Sequence, residues 1–294
     1  MRLLHCACAS SLTVPGAEEV TLPEVPSRSE LSFLLDVASS ALPHDPTPSL
    51  AEIQKSPSVE HLGAPQLAPQ RPEERLRVVV SGSDAALSAV LTRLMRADVM
   101  WVEVAYLPTN AASPAAVAWG AGSVDLAVEG PVVPSPCIRT DTGVVVAGSA
   151  TLSHEDGRSE YVGEIVVDSQ QLVMRTGEEP SARFFGQFGA RLVPTPDAPG
   201  LAASRLVTPL VVPEGRRVDP QRLEGLAGMP LGSLLTKGKT VAPALTDPAT
   251  VLTGRALQSG GEDITLVVDG VAHPRPLQRV TFYRHLRDIQ SVRG

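Results

Sequence analysis

The chain has 294 residues and a formal net charge of −7, with 43% hydrophobic and 19% charged residues. This balance describes a globular protein with a sizeable core, in one large domain or two modest ones. The acidic surplus excludes general nucleic-acid binding, which needs clustered positive charge, and no apolar run reaches the length of a membrane span.

The opening stretch MRLLHCACASSLTVPGA carries one arginine and a short apolar run, a poor secretory signal. His5, Cys6 and Cys8 lack a fourth metal ligand nearby. With Cys137 they bring the cysteines to 3, too few for a disulfide framework, so a reducing cytoplasm is expected. Only three of the 25 Lys and Arg residues are lysines, and Asn110 is the only asparagine, a composition suggesting a GC-rich bacterial genome.

Residues 1–74 read as peripheral. SRSELSFLLDVASSAL predicts a short amphipathic helix capped by Ser29, with Leu31, Leu34, Leu35, Ala38 and Leu42 on one face. The prolines crowding 43–74 remove backbone donors and predict a flexible linker.

Regular structure is expected from Leu76. LRVVV has the β-branched bias of a buried strand. Leu87, Val90, Leu91, Leu94 and Met95 then recur at helical spacing, with Ser83 or Asp84 as the cap. WVEVAYL (101–107) supplies a second strand. The order strand, helix, strand predicts a right-handed crossover and a parallel sheet. PTNAASPAAVAWG turns into a short helix capped by Ser113, with Pro114 in its first turn.

Beyond about residue 130 the chain becomes a series of short β-branched segments broken by Gly, Pro and Asp, with DPQRLEGLAG as another helix. Asp156-Gly157 and Asp269-Gly270 both read as hairpin turns. The expected fold class is α/β plus β, a Rossmann-like α/β domain (75–130) followed by a mostly antiparallel, β-sandwich-like domain (131–294).

Candidate chemistry centres on the turn Gly82-Ser83-Asp84-Ala85-Ala86. A helix N-terminus offers unpaired amides and the positive end of the dipole, so an anion can sit there. Phosphate loops need glycine for close approach and positive φ, and only Gly82 meets that need. On residue type alone, Ser83 and Asp84 read first as helix caps. GSLLTKGKT (232–240) mimics a P-loop but has five residues between its glycines instead of four and lacks the flanking strand and helix. Its Lys237 and Lys239 read as solvated loop charges. His273 and His285 belong to no visible nucleophile or metal set, and for Asp269-Gly270 spacing does not choose between a hairpin turn and a functional carboxylate.

On these residues the chain resembles the diacylglycerol kinase and NAD kinase superfamily, in its lipid-kinase branch. GSDAAL lines up with that family's Gly-Gly-Asp-Gly-Thr loop through Gly82 and Asp84. The following strand ends in Leu107-Pro108, as the family's does, and VVDGV matches a late Asp-Gly-Glu turn through Asp269 and Gly270. The resemblance covers roughly 76–294. It implies ATP and Mg²⁺ between two domains, with Asp84 as metal ligand or base, Asp269 as its catalytic partner, and Gly82, Ser83, Ala85, Ala86 and Gly270 around the cofactor.

The departures are as specific. Ser83, Ala85 and Ala86 replace Gly, Gly and Thr, TNAASPAA replaces a second Gly-rich loop, and Val271 stands where a glutamate would be. A methyl at position 85 opposes positive φ by about 1–2 kcal/mol, and each lost ligand to transferring phosphoryl costs a factor of about 100 or more in rate. The expectation is therefore a lipid-kinase-like protein that binds a nucleotide or phosphorylated ligand, with weak or lost phosphotransfer. The alternative is a non-catalytic scaffold with a closed site. The expected partners are a nucleotide, a lipid or other small-molecule alcohol, and a second copy as a homodimer.

Overall fold

The structure is a computed structural model, and it describes residues 1–41, 63–120 and 122–294. Leu42 and most of the proline-rich stretch fall outside them. The described chain divides into two compact units. One comprises Met1–Ser149, Val193–Leu201 and Phe282–Gly294, the other Ala150–Leu192 and Ala202–Thr281.

The first unit is built on five parallel strands: β1 (Arg2–Cys8), β2 (Glu18–Leu22), β3 (Leu76–Gly82), β4 (Glu103–Pro108) and β17 (Gln290–Val292), the last numbered by its place in the chain. Their order is β17-β4-β3-β1-β2. The chain steps from β1 to β2 on one side and then crosses back to β3 on the other, so the strand order reverses between β1 and β3. Such a switch point opens a crevice at the carboxyl ends of the strands.

The central place of β1 corrects the expectation that 1–74 is peripheral. RLLHCAC alternates between two buried faces, and Leu4, Cys6 and Cys8 join one core while Leu3 joins the other. A short strand covered on both sides shows only as an apolar run, which at a chain start looks like a poor leader. Likewise β17 returns the last residues to this sheet, so 131–294 is not wholly a β domain.

Among the described residues four helices cover the sheet: α1 (Phe33–Ala41), α2 (Asp84–Arg96), α3 (Pro114–Trp119) and α4 (Val124–Glu129). The helical spacing read in α2 holds, for Leu87, Val90 and Leu91 are fully buried and Leu94 and Met95 nearly so. Ser83 is its N-cap, accepting from the Ala86 amide. The α1 helix docks through Leu34 and Ala38, with Leu31 from the turn before it, into the same core. Ser27 and Glu30 exchange bonds at its approach in a capping-box arrangement, where Ser29 was expected to cap. Against the linker expectation, residues 66–68 lie along the chain's end, the Gln66 amide donating to Asp288 at 2.9 Å and the Ala68 amide to Gln290 at 3.0 Å. On the opposite face, α4 packs Ala127 against Val79, Ala105 and Leu107. Strand β5 (Ile138–Thr140) pairs with Phe282–Arg284.

The second unit is an antiparallel sheet. Its strands are β6 (Ala150–His154), β7 (Gly163–Val167), β8 (Gln170–Arg175), β9 (Gly189–Pro194), β10 (Leu201–Leu206), β13 (Leu252–Gly254), β14 (Ala256–Val268), β15 (Val271–Ala272) and β16 (Leu277–Arg284). The order runs β13-β10-β9-β6-β14-β16, with β7 and β15 also paired to β14 and β8 to β7. A small parallel pair, β11 (Arg216–Arg217) and β12 (Lys239–Thr240), stands apart, beside α5 (Pro220–Ala227) and α6 (Gly232–Leu235). The parallel sheet with helices and the separate antiparallel sheet agree with the fold class read from the residues.

Asp156-Gly157 is not a hairpin turn. Strand β6 does not pair with β7; Asp156 instead folds its own loop, accepting from the Arg158 and Ser159 amides at 2.8 Å each. The hairpin there is β7–β8, turned at Asp168-Ser169, with Asp168 in the left-handed region.

Candidate functional site

The turn from β3 into α2 lies at the carboxyl edge of the parallel sheet, beside the end of β1. The register sets Ala7 opposite Ser81, so Gly82 follows next to Cys8. Gly82 adopts φ +155, and a Cβ there would approach the Cys8 Cβ at 2.9 Å and the Ala86 Cβ at 3.1 Å. Glycine is required by both backbone and space.

Asp84 opens α2 as a buried carboxylate. Its Oδ1 accepts from the Tyr106 hydroxyl at 2.8 Å and the Ser113 hydroxyl at 2.6 Å. Its Oδ2 accepts from the Ala115 amide at 3.0 Å. Ser113 caps α3 by accepting from Ala116, so Asp84 and Ser113 together take up donors of that helix's first turn. This is local chemistry: a helix N-terminus leaves amides unpaired, and an anion satisfies them and complements the dipole.

The segment before β6 packs along α2. The Ser88 hydroxyl donates to the Val145 carbonyl at 2.6 Å, and the Val145 amide donates to Thr92 at 2.9 Å. At its end a Cβ on Gly148 would lie 2.8 Å from Asp84 Oδ2. Only glycine lets this chain pass so close to the carboxylate.

The residues of the turn are therefore brought together, and their accessibility is unequal. Ala85 and Ala86 are 8% and 0% exposed, while Ser83 is half-buried. The Thr109 amide and hydroxyl donate to the Gly82 carbonyl, and the Tyr106 hydroxyl shares its proton between that carbonyl at 3.2 Å and Asp84, which ties the ends of β3 and β4. Asn110 accepts from the Ala112 amide at 3.0 Å, closing the turn that follows β4. A divalent ion on Asp84 Oδ1 would have to displace one of two hydrogen-bond donors, and on Oδ2 it would share the oxygen with the Ala115 amide. No cluster of three or more metal-binding side chains occurs among the described residues. The surroundings of Asp84 fit hydrogen-bond donors better than they fit Mg²⁺.

Asp269 and Gly270 belong to the second unit. They are the two central residues of the β14–β15 hairpin, with φ of 49° and 86°, the signature of a type I′ turn, and Asp269 is buried. Lys237 and Lys239 follow α6, with no phosphate-loop geometry around them.

Two buried polar arrangements escaped the sequence reading. In the first, His5 on β1 reaches Ser81 on β3, Nε2 to Oγ at 2.8 Å, while Nδ1 stands 3.4 Å from Glu19 on β2. Desolvation lowers the His5 pKa against the pull of Glu19. The row resembles a nucleophile triad, but Ser81 is fully buried, so no substrate reaches its hydroxyl. In the second, Arg77 on β3 donates to Glu103 at 2.8 Å and to the carbonyls of Ala127, Val128 and Gly130, capping the end of α4. The signal for both was strand register, which sequence alone does not supply.

No protein-family model matches the chain, and no curated protein matches it. Solved structures do. A yeast NADH kinase complexed with NADH is 12% identical, with a TM-score of 0.33 over 100% of this chain and 84% of that one. An NAD kinase from Archaeoglobus fulgidus in complex with ATP is 13% identical, with a TM-score of 0.36 over 72% of this chain and 75% of that one. The chain is also similar to a diacylglycerol kinase from Bacillus anthracis, at 10% identity and a TM-score of 0.45, covering 74% of this chain and 76% of that one.

Proposed function

We propose that the protein binds a nucleotide or another phosphorylated ligand at the carboxyl edge of its parallel sheet and transfers phosphoryl groups weakly or not at all. Support for the binding comes from the β3–α2 turn, which stands where the strand order reverses and where the residue resemblance puts a phosphate loop. The first amides of α2 and the half-buried Ser83 would face the anion. The observation that carries the loss of transfer is the Asp84 carboxylate, whose two oxygens accept from three protein donors. A residue so engaged serves α3 and is poorly suited to a metal ion or to a substrate proton.

The test is incubation of the full-length protein with labelled ATP, Mg²⁺ and a bacterial lipid extract. The expected result is no transfer above an Asp84→Asn control. Transfer well above that control would overturn the reading.

The burial of Ala85 and Ala86 favours a second reading, a scaffold whose site is closed to ligands. Calorimetry with ATP, ADP and NAD separates the two, because saturable micromolar binding contradicts a closed site.

A further inference from the structure

The short helix α6 is built inside out. Its buried positions are Gly232 and Thr236, one turn apart, and the Thr236 hydroxyl donates to the Gly232 carbonyl at 2.9 Å. A Cβ on Gly232 would strike the Ala227 carbonyl at the end of α5, so a small residue is what lets α6 seat there. The leucines face the other way. Leu231, Leu234 and Leu235 are 72%, 66% and 43% exposed, and Met229 just before them is 55% exposed. Leu231 holds this presentation at φ +67, a conformation unfavourable for a branched residue. A helix that serves only to cover its own core presents its leucines inward. Four large apolar side chains within seven residues, turned to solvent, mark a surface that meets something apolar.

Charge identifies what it meets. The strand pair beside α6 carries Arg216, Arg217 and Lys239, with Arg216 directly opposite Lys239, and Lys237 links α6 to it. Two of the chain's three lysines thus lie within four residues of α6, in a protein whose net charge is −7. Lys239 also donates to the Leu235 carbonyl at 2.7 Å, fixing the basic strand to the leucine turn. Of the nearby acids, Glu224 is turned onto the Phe184 and Phe185 amides and Asp219 caps α5, which leaves the exposed Glu214 against Arg216, Arg217, Lys237 and Lys239. Apolar side chains flanked by cations suit a bilayer interface, where hydrocarbon takes the leucines and anionic headgroups take the Lys and Arg.

We propose that the α6 turn is a membrane-docking element that seats the protein on anionic lipid. The proposal stands on the second unit alone and does not depend on nucleotide binding at the β3–α2 turn.

The test is flotation of the full-length protein with vesicles of phosphatidylcholine, with and without about one-third phosphatidylglycerol. Binding is expected to the anionic vesicles alone and to weaken as salt is raised. The double variant Leu231→Ser/Leu234→Ser should lose about tenfold or more in partitioning while keeping the wild-type thermal melt, since both residues are exposed. The variant Arg217→Glu/Lys237→Glu should lose binding to a similar degree. Wild-type protein that ignores anionic vesicles overturns the proposal, as does binding untouched by the leucine pair. A concentration-dependent dimer that the leucine pair abolishes, without vesicle binding, also overturns it and assigns the face to a second copy of the chain.

Discussion

The Ala115 amide donates to Asp84 Oδ2 across 3.0 Å, so the first residue of one helix caps the start of another. With Tyr106 and Ser113 on the other oxygen, this bond fixes α2, α3 and the end of β4 around one buried carboxylate. Substituting Asp84→Ala takes the acceptor from the Ser113 hydroxyl and the Ala115 amide and leaves the Tyr106 hydroxyl only the Gly82 carbonyl at 3.2 Å. The expected loss is about 3 kcal/mol of unfolding free energy, and Tyr106→Phe, which removes one donor, should cost about 1 kcal/mol. Urea denaturation measures both.

Gly148→Ala tests the same assembly from the opposite side. The added methyl would lie 2.8 Å from Asp84 Oδ2, and overpacking of this kind costs about 1–3 kcal/mol. A variant as stable as the wild type in thermal unfolding would mean that this segment is not held against the carboxylate.

Arg77 and Arg75 both pair with Glu103, but only Arg77 is buried. Replacing Arg77 by Met leaves Glu103 to Arg75 alone and strips three carbonyls at the end of α4 of their donor, at an expected cost of about 3 kcal/mol. Arg75→Ala, at a half-exposed position, should cost about 1 kcal/mol or less. Equal effects from the two substitutions in chemical denaturation would contradict the packing described.

His285 is buried, and desolvation, aided by the Arg139 and Arg287 charges, pushes its pKa down to about 4 from 6.5. Burial shifts His5 in the same direction. The unfolded state therefore binds protons that the folded state refuses. Stability is full above about pH 6.5 and falls as the pH drops toward 4, by about 1.4 kcal/mol per pH unit per histidine at most. His285→Gln should flatten that slope in denaturation midpoints collected across the window.

Much of the first unit was legible because its strongest signals are local. The periodicity of Leu87 to Met95, the Ser83 and Ser113 caps and the β-branched run before Gly82 each depend on a few neighbouring residues. β1 was not legible as a central strand, because burial on both faces removes the alternation that would reveal it. The engagement of Asp84 required knowing that Tyr106, Ser113 and Ala115, 22 to 31 residues away, converge on it. Asp156 misled for a related reason: an Asp-Gly pair signals a turn, while pairing partners decide whether that turn closes a hairpin. α6 is hidden in the sequence because GSLLTKGKT mimics a phosphate loop, and its outward leucines become evident once Gly232 and Thr236 are known to be the buried face.

The central claim is that the β3–α2 turn takes a phosphorylated ligand while Asp84 remains with its protein donors instead of a metal ion. Calorimetric titration of ATP into the full-length protein, once with Mg²⁺ and once with EDTA, tests it most directly. The account predicts saturable binding whose dissociation constant changes by less than about threefold between the two conditions. Binding that strengthens about tenfold or more with Mg²⁺, or no binding in either condition, would contradict it.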